Sequence, residues 1–247
     1  MQNNIIGIIG PTGSGKTHLA AEIFAKQERA AVYQILAQDA GYLGGADDII
    51  DGDMHKFALQ IGAPQFRLIY RVKRAGSYVE KNRYVFPDFD YFVRACFERG
   101  NMMMLIDEAH MLCTNHSCPL FLWESIITGR HQALDITYIT QRFAMVHRDI
   151  TANTKEFYFW NIIEPSDLDG IQKRCGEEAR DAVMMLRRTE DRRKDGGEII
   201  PGEIFHWSGN GESNVYSTVP AGENANEPTT EALIPATGTG SGNVEKG

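Results

Sequence analysis

The amino-acid sequence predicts an α/β fold, in which helices cover both faces of a mostly parallel central sheet. Two observations lead to this prediction. From residue 4 to about residue 175, short apolar runs alternate with segments of helical periodicity. A glycine-dense loop also follows the first apolar run directly, as is typical where a parallel strand turns into a helix.

The predicted elements alternate strictly along the chain. Apolar runs rich in β-branched, aromatic or methionine side chains predict strands at 4–9, 31–36, 66–72, 102–107, 134–140 and 156–162. The intervening segments have apolar residues at helical spacing and predict helices at 17–27, 53–61, 87–98, 120–128 and 166–175.

The composition indicates a globular protein. The chain has 247 residues, of which 43% are hydrophobic and 23% are charged. No stretch approaches the roughly 18 apolar residues that span a bilayer, so we expect no membrane span in this chain. The start, MQNN, lacks the features of a signal peptide, and four cysteines without a regular framework favour a reducing compartment. We therefore expect a cytoplasmic protein.

The segment GPTGSGKT matches the phosphate-binding pattern G-x-x-x-x-G-K-[ST] without a mismatch. Glycines let backbone N–H groups turn inward around a phosphate, where side chains would block the approach. Lys16 is expected to reach the β- and γ-phosphates of ATP, and the Thr17 hydroxyl to ligate Mg²⁺. The predicted nucleotide-binding residues are Gly10, Pro11, Thr12, Gly13, Ser14, Gly15, Lys16 and Thr17.

Two acidic residues complete the predicted metal and catalytic site. The buried run MMMLI is followed by Asp107, which would hold the Mg²⁺ shell, and by Glu108. A glutamate in this position activates the attacking water in ATP-hydrolysing proteins. Kinases of small molecules do not need this second acid, so the pair favours hydrolysis.

A polar residue at the end of the run LDITYIT is the third element. Gln141 is expected at the same sheet edge as Asp107, where its amide can hydrogen-bond the γ-phosphate or the lytic water. A capping role without catalytic function is the alternative.

These three elements make the chain resemble the HerA–FtsK superfamily, whose members are hexameric P-loop motors with a RecA-like domain. The resemblance covers roughly residues 4 to 165 and includes the triplet Thr140-Gln141-Arg142. It implies that Arg130, just before the predicted strand, reaches into the ATP site of a neighbouring subunit. Arg142 and Arg148 are competitors for this role. A residue supplied in trans implies a homo-oligomeric ring, with six subunits in the resembled motors.

Two branches of the superfamily fit the sequence. One contains the genome-packaging ATPases of membrane-containing icosahedral viruses, and the other contains the zonula-occludens-toxin-like assembly ATPases of filamentous phages. The second also carries an Arg-His pair before a Leu-Asp-Ile strand, as at Arg130, His131 and 134–136. Its members usually have a membrane-spanning segment after the ATPase domain, whereas this chain continues as a polar tail, which favours packaging.

The chain is predicted to divide into a P-loop ATPase domain, residues 1–208, and a disordered acidic tail, residues 209–247. The tail has almost nothing to bury. It contains five glutamates and one lysine, a formal charge of −4, which leaves −4 of the total −8 for the domain. The net charge therefore does not exclude a nucleic-acid partner. The segment 70–86 interleaves cations with tyrosines, which suits a loop that grips a phosphate backbone, or a solvated hairpin.

The sequence thus predicts an ATP-hydrolysing motor that translocates nucleic acid, with packaging of viral double-stranded DNA into a preformed capsid as the leading hypothesis. Its expected partners are double-stranded DNA, further copies of the chain and a capsid or virion-vertex protein. A viral protein of this kind would work in the host cytoplasm or associate with the virion. The alternatives are a virion-extrusion ATPase, a monomeric small-molecule kinase, and a scaffold that binds ATP without turnover.

Overall fold

The structure is a computed structural model that describes residues 4–35, 42–72, 78–80, 83–188, 190–191, 199–200 and 202–217. The strands in these residues are β1 Ile5–Ile9, β2 Arg29–Gln34, β3 Asp48–Asp51, β4 Phe66–Arg71, β5 Tyr78–Glu80, β6 Arg83–Val85, β7 Met102–Ile106, β8 Leu134–Thr140, β9 Glu156–Phe159, β10 Glu190–Asp191, β11 Ile199–Ile200, β12 Glu203–Ser208 and β13 Ser213–Ser217. The α-helices are α1 Lys16–Ala25, α2 Met54–Gln60, α3 Pro87–Arg99, α4 Ala109–Leu112, α5 Leu120–Thr128, α6 Arg148–Asn153, α7 Pro165–Cys175 and α8 Glu177–Met185. Short 3-10 helices cover Leu43–Gly45, Gly129–Gln132 and Phe143–Met145.

Nine strands form the central sheet in the order β13-β12-β9-β1-β8-β7-β2-β4-β3. All neighbours from β9 to β3 are parallel, while β12 and β13 add an antiparallel edge. The predicted α/β class with a mostly parallel sheet is therefore confirmed. Because β8 lies between β1 and β7, the carboxyl ends of these three strands are adjacent, and residues that follow them meet at one edge.

The core has a layer on each face of the sheet. On one face, aromatic rings from β2, β4, α2 and α3 pack together, with Tyr33 and Phe92 centroids 5.1 Å apart. Asp88 of α3 accepts hydrogen bonds from the hydroxyls of Tyr33 (2.6 Å) and Tyr70 (2.8 Å) and so joins the helix to the sheet. On the other face, α1 packs Phe24 against the sheet. Packing on both faces of the sheet fixes the strands whose carboxyl ends form the site.

The predicted helices and strands up to residue 175 are present, with ends shifted by a few residues. The sequence missed β3, the short helices α4 and α6, helix α8 and the strands after residue 189. It assigned residues from 209 onward to the tail, but 213–217 form β13, which pairs with β12 from Glu203↔Ser217 to Trp207↔Ser213. The side chains of β13 are half-buried or exposed, so its sequence lacks the apolar pattern that predicts a strand. Backbone hydrogen bonds to β12 hold β13 in the sheet. Residues 218–247 lie outside the described residues.

Part of the predicted DNA-contacting segment 70–86 is described only as backbone. β5 and β6 pair as an antiparallel hairpin, from Tyr78↔Val85 to Glu80↔Arg83, which agrees with the predicted hairpin. Residues 73–77 and 81–82 lie outside the described residues. Contact with nucleic acid stays a prediction.

Candidate active site

The phosphate loop spans the residues between β1 and α1. Gly13 and Gly15 have φ values of 76° and 104°, a left-handed conformation that glycine adopts without strain. A Cβ atom added to Gly10 would lie 2.8 Å from Trp160 Cβ, so this position also requires glycine. The loop is tied to the sheet edge because Gly10 N donates to Thr140 O at 3.2 Å.

Two buried donors at this loop fit a bound phosphate. Ser14 Oγ and Trp160 Nε1 are buried and make no hydrogen bond to another described residue. Trp160 follows β9, and its Nε1 is 4.0 Å from the position that a Cβ of Gly15 would occupy. Because a buried N–H or O–H without an acceptor is unfavourable, both groups indicate a ligand with acceptor oxygens. From the sequence, Trp160 was predicted only as part of the strand 156–162.

Lys16, the lysine of the phosphate-binding pattern, is buried at the start of α1. Its Nζ donates to Pro11 O at 2.7 Å, and an ammonium group has further N–H donors for a phosphate. Burial lowers the pKa of Lys16, while the nearby Glu108 and Asp107 carboxylates oppose this effect. Thr17 follows in the first turn of α1 and is half-buried. Its role as a Mg²⁺ ligand stays a prediction.

Asp107 follows β7 and is 8% exposed. Its backbone N–H donates to Tyr33 O at 3.1 Å, which continues the sheet pairing to this residue. Burial, and after it the neighbouring Glu108 carboxylate, raise the pKa of Asp107 to about 7, against the opposing effect of Lys16. An isolated charge is therefore unfavourable here, and a divalent cation would provide the missing partner for the ionised form.

Glu108, Gln141 and Thr12 form a continuous hydrogen-bonded chain. Gln141 Nε2 donates to Glu108 Oε1 at 2.8 Å, and Thr12 Oγ1 donates to Gln141 Oε1 at 2.9 Å. Glu108 has φ 52° and ψ 50°, a left-handed conformation that costs a non-glycine residue about 1–3 kcal/mol. The structure thus connects the predicted water-activating acid, through the predicted sensor, to the phosphate loop.

His110 is a member of the site that the sequence did not identify. Its Nδ1 lies 3.3 Å from Glu108 Oε2 and 3.3 Å from Thr140 Oγ1. Burial lowers the pKa of His110, with an opposing effect of Glu108, so the ring is neutral near pH 7. Glu108 Oε2 is buried and lacks a well-aligned hydrogen bond within the described part of the chain. This oxygen is therefore available to accept a proton from water.

The three arginines considered for action in trans have different surroundings. Arg142 Nε donates to Asp167 Oδ2 at 2.8 Å, and Asp167 is buried and also accepts from the Ala144 N–H. Arg148 begins α6, and its side chain is 92% exposed. Arg130 lies in the 3-10 helix before β8 and is exposed, with Nε 3.4 Å from His131 Nε2. The buried ion pair constrains Arg142, whereas Arg130 and Arg148 project from the surface.

A cavity of about 580 Å³ opens beside the phosphate loop. Its wall after β9 includes Asn161, whose Oδ1 accepts from Arg188 Nε at 2.6 Å and whose Nδ2 donates to Met184 O at 2.9 Å. The size suits a nucleoside next to the phosphates. No sequence motif marked these residues, since they meet only where the end of α8 lies beside the segment that follows β9.

The strand order, the glycine loop between β1 and α1, and the acidic pair after β7 define the class: the chain has the P-loop NTPase fold with the residues of an ATPase site. No family model matches the chain, and no curated protein matches it in sequence.

Among solved structures, the chain is similar to the genome-packaging NTPase B204 of Sulfolobus turreted icosahedral virus 2 in complex with AMPPCP. The TM-score is 0.65 at 14% identity, over 87% of this chain and 98% of that chain. It is also similar to B204, the DNA-packaging ATPase of Sulfolobus turreted icosahedral virus, with a TM-score of 0.64 at 16% identity. That match covers 89% of this chain and 100% of B204. The suspected relationship to packaging ATPases is thereby confirmed at the level of the fold.

Proposed function

We propose that the protein hydrolyses ATP with Mg²⁺ and uses the energy to translocate nucleic acid, specifically viral double-stranded DNA into a capsid. The observation that carries the hydrolytic part is the hydrogen-bonded chain from Glu108 through Gln141 to Thr12 beside Lys16. A kinase of small molecules needs no such link between an acid and the phosphate loop. The fold of this chain is also that of viral genome-packaging NTPases.

Each residue of the site has a definite task in this proposal. The loop N–H groups and Lys16 bind the phosphates, and Thr17 and Asp107 hold Mg²⁺, which neutralises charge on the phosphates when bound. Glu108 takes a proton from the attacking water through the open Oε2, while Gln141 holds Oε1. Because Gln141 also bonds Thr12, a change at the γ-phosphate can be transmitted to the end of β8.

We propose a ring because of where Arg130 lies. Seven residues of β8 separate it from the loop edge, a distance of roughly 20 Å at 3.3 Å per residue. Arg130 is thus too far from the site of its own chain to act there, and in this proposal it serves the site of a neighbouring copy. A guanidinium supplied in trans accelerates phosphoryl transfer by about 10³–10⁵ in well-studied enzymes.

DNA and a capsid or virion-vertex protein are the proposed partners. The similar structures are those of genome-packaging and DNA-packaging proteins, and the hairpin formed by β5 and β6 lies in the cation- and tyrosine-rich segment. No helix in the described ranges is both long and apolar enough to cross a membrane. For a viral protein of this kind we propose action in the host cytoplasm, at the vertex of the particle.

The test is the steady-state ATPase rate with and without double-stranded DNA, at low salt because phosphate contacts are salt-sensitive. We expect stimulation by DNA in the wild type, no turnover in Lys16→Ala, and ATP binding without turnover in Glu108→Gln. Arg130→Ala should lose turnover and regain it when mixed with Lys16→Ala subunits, whereas exposed Arg94→Ala serves as the matched control. Full activity of Glu108→Gln would contradict the hydrolytic mechanism, and turnover indifferent to any nucleic acid would contradict translocation.

A further inference from the structure

Helix α5 is apolar on both sides, which is unusual for a surface helix. Leu122, Ser125 and Ile126 face the interior, and the helix packs there against α3. The outer side exposes Leu120 by 68%, Trp123 by 42% and Ile127 by 43%. A cluster of large exposed apolar side chains on one helix marks a contact surface, so the outer side of α5 is expected to be covered.

The exposed residues form one continuous line that ends at Arg130. The spacing from Leu120 to Trp123, Ile127 and Arg130 is three, four and three residues, so successive members lie on one helical face. The 3-10 helix Gly129–Gln132 continues α5 directly and carries Arg130 on this line. We call the surface made by Leu120, Trp123, Ile127 and Arg130 the α5 face.

The α5 face is preorganised for contact. Trp123 Nε1 donates to Asp149 Oδ2 at 3.0 Å, which fixes the indole while part of its ring remains exposed. Tryptophan and arginine, both present on the α5 face, are enriched among the residues that contribute most of the binding energy in protein interfaces. Arg130, at the end of the α5 face, adds a positive charge that favours contact with an anion such as the phosphates of ATP.

A second apolar surface borders the cavity beside the phosphate loop. Ile163 lines the cavity and is 64% exposed, and Met184 and Met185 at the end of α8 are 37% and 82% exposed. The bond from Asn161 Nδ2 to Met184 O holds the end of α8 at the cavity wall. We call Ile163, Met184 and Met185 the cavity rim.

We propose that the α5 face of one copy of this chain docks on the cavity rim of the next copy. The inference rests on the proposed function, because the ring supplies the second copy. Apolar area then meets apolar area, and Arg130 at the end of the α5 face points toward the phosphates bound beside the rim. Two different surfaces meet, so the contact is heterologous, and repetition of it closes a ring when the rotation allows closure.

Single charges introduced on each surface test the contact. Ile127→Glu alters the α5 face, Met185→Glu alters the rim, and Leu59→Glu on α2 is the control, since Leu59 is 67% exposed but belongs to neither surface. Sedimentation with Mg²⁺ and ATPγS should show an oligomer for the wild type and for Leu59→Glu. Both interface variants should associate roughly 30-fold or more weakly.

An equimolar mixture of Ile127→Glu and Met185→Glu distinguishes the heterologous contact from other arrangements. One intact α5 face and one intact rim remain per pair, so the mixture should form dimers and proceed no further. A mixture that stays monomeric, interface variants that assemble like the wild type, or a monomeric wild type would each overturn the proposal. At protein concentrations too low for the wild type to associate, affinity for a fluorescent ATP analogue should be the same in every variant, which confirms folding. Sedimentation and nucleotide binding do not require ATP hydrolysis. A failure of the proposed hydrolysis would therefore show only in the ATPase rate and would be distinguishable from a failure of the contact.

Discussion

Replacing Asp107 by asparagine should stabilise the protein at neutral and alkaline pH when metal and nucleotide are removed by a chelator and dialysis. Asp107 is 8% exposed, and burial raises the pKa of its carboxyl from 3.8 to about 7. Between these two pH values the folded state keeps a proton that the unfolded state has released. The free energy of unfolding therefore falls as pH rises through this window, and the loss is complete above pH 7.

The magnitude follows from the size of the pKa change. About three pKa units at 1.36 kcal/mol each correspond to about 4 kcal/mol. Asparagine stays neutral at every pH and has the shape of a protonated aspartate. The variant should thus equal the wild type near pH 4 and exceed it by about 4 kcal/mol at pH 8, a large fraction of a typical domain stability.

Urea unfolding at several pH values between 4 and 8.5 measures this difference. Asp169→Asn is the matched control, because Asp169 is exposed and pairs only with Lys173 on the same helix, so its curve should parallel the wild type. Adding Mg²⁺ and ATPγS should stabilise the wild type more than Asp107→Asn, since a carboxylate is the stronger ligand for this cation. If the free energies of wild type and Asp107→Asn ran parallel over the whole pH range, the argument from burial would be wrong.

Three further substitutions test the site and the core. Gln141→Leu removes the bonds to Thr12 and Glu108, so turnover should fall by roughly 10²-fold while the affinity for ATPγS changes little, as measured by steady-state kinetics and titration; equal losses of both would contradict the assigned role. Gly10→Ala would press its Cβ to 2.8 Å from Trp160 Cβ and should destabilise the protein by about 1–3 kcal/mol in urea unfolding. Phe92→Ala opens a fully buried aromatic cluster and should cost about 3–5 kcal/mol in the same assay, whereas a loss below 1 kcal/mol would show that the cluster collapses to fill the space.

The sequence by itself determined the elements whose evidence is local. The apolar run of β1, the glycines of the loop and the start of α1 are consecutive, so backbone geometry and phosphate chemistry can be read from one short segment. Asp107 and Gln141 were predictable in the same way, because each follows a buried strand directly. Sheet periodicity then places both at the carboxyl edge without knowledge of any distant contact.

Only the tertiary structure decided which of these residues meet. The insertion of β8 between β1 and β7 brings Gln141 into contact with both Thr12 and Glu108, and no local pattern specifies that order. The orientation of the Trp160 indole and the pairing of β13 likewise depend on partners far away in the chain. Side-chain contacts of this kind arise from packing between distant segments, whereas a sequence pattern reports only the preferences of neighbours.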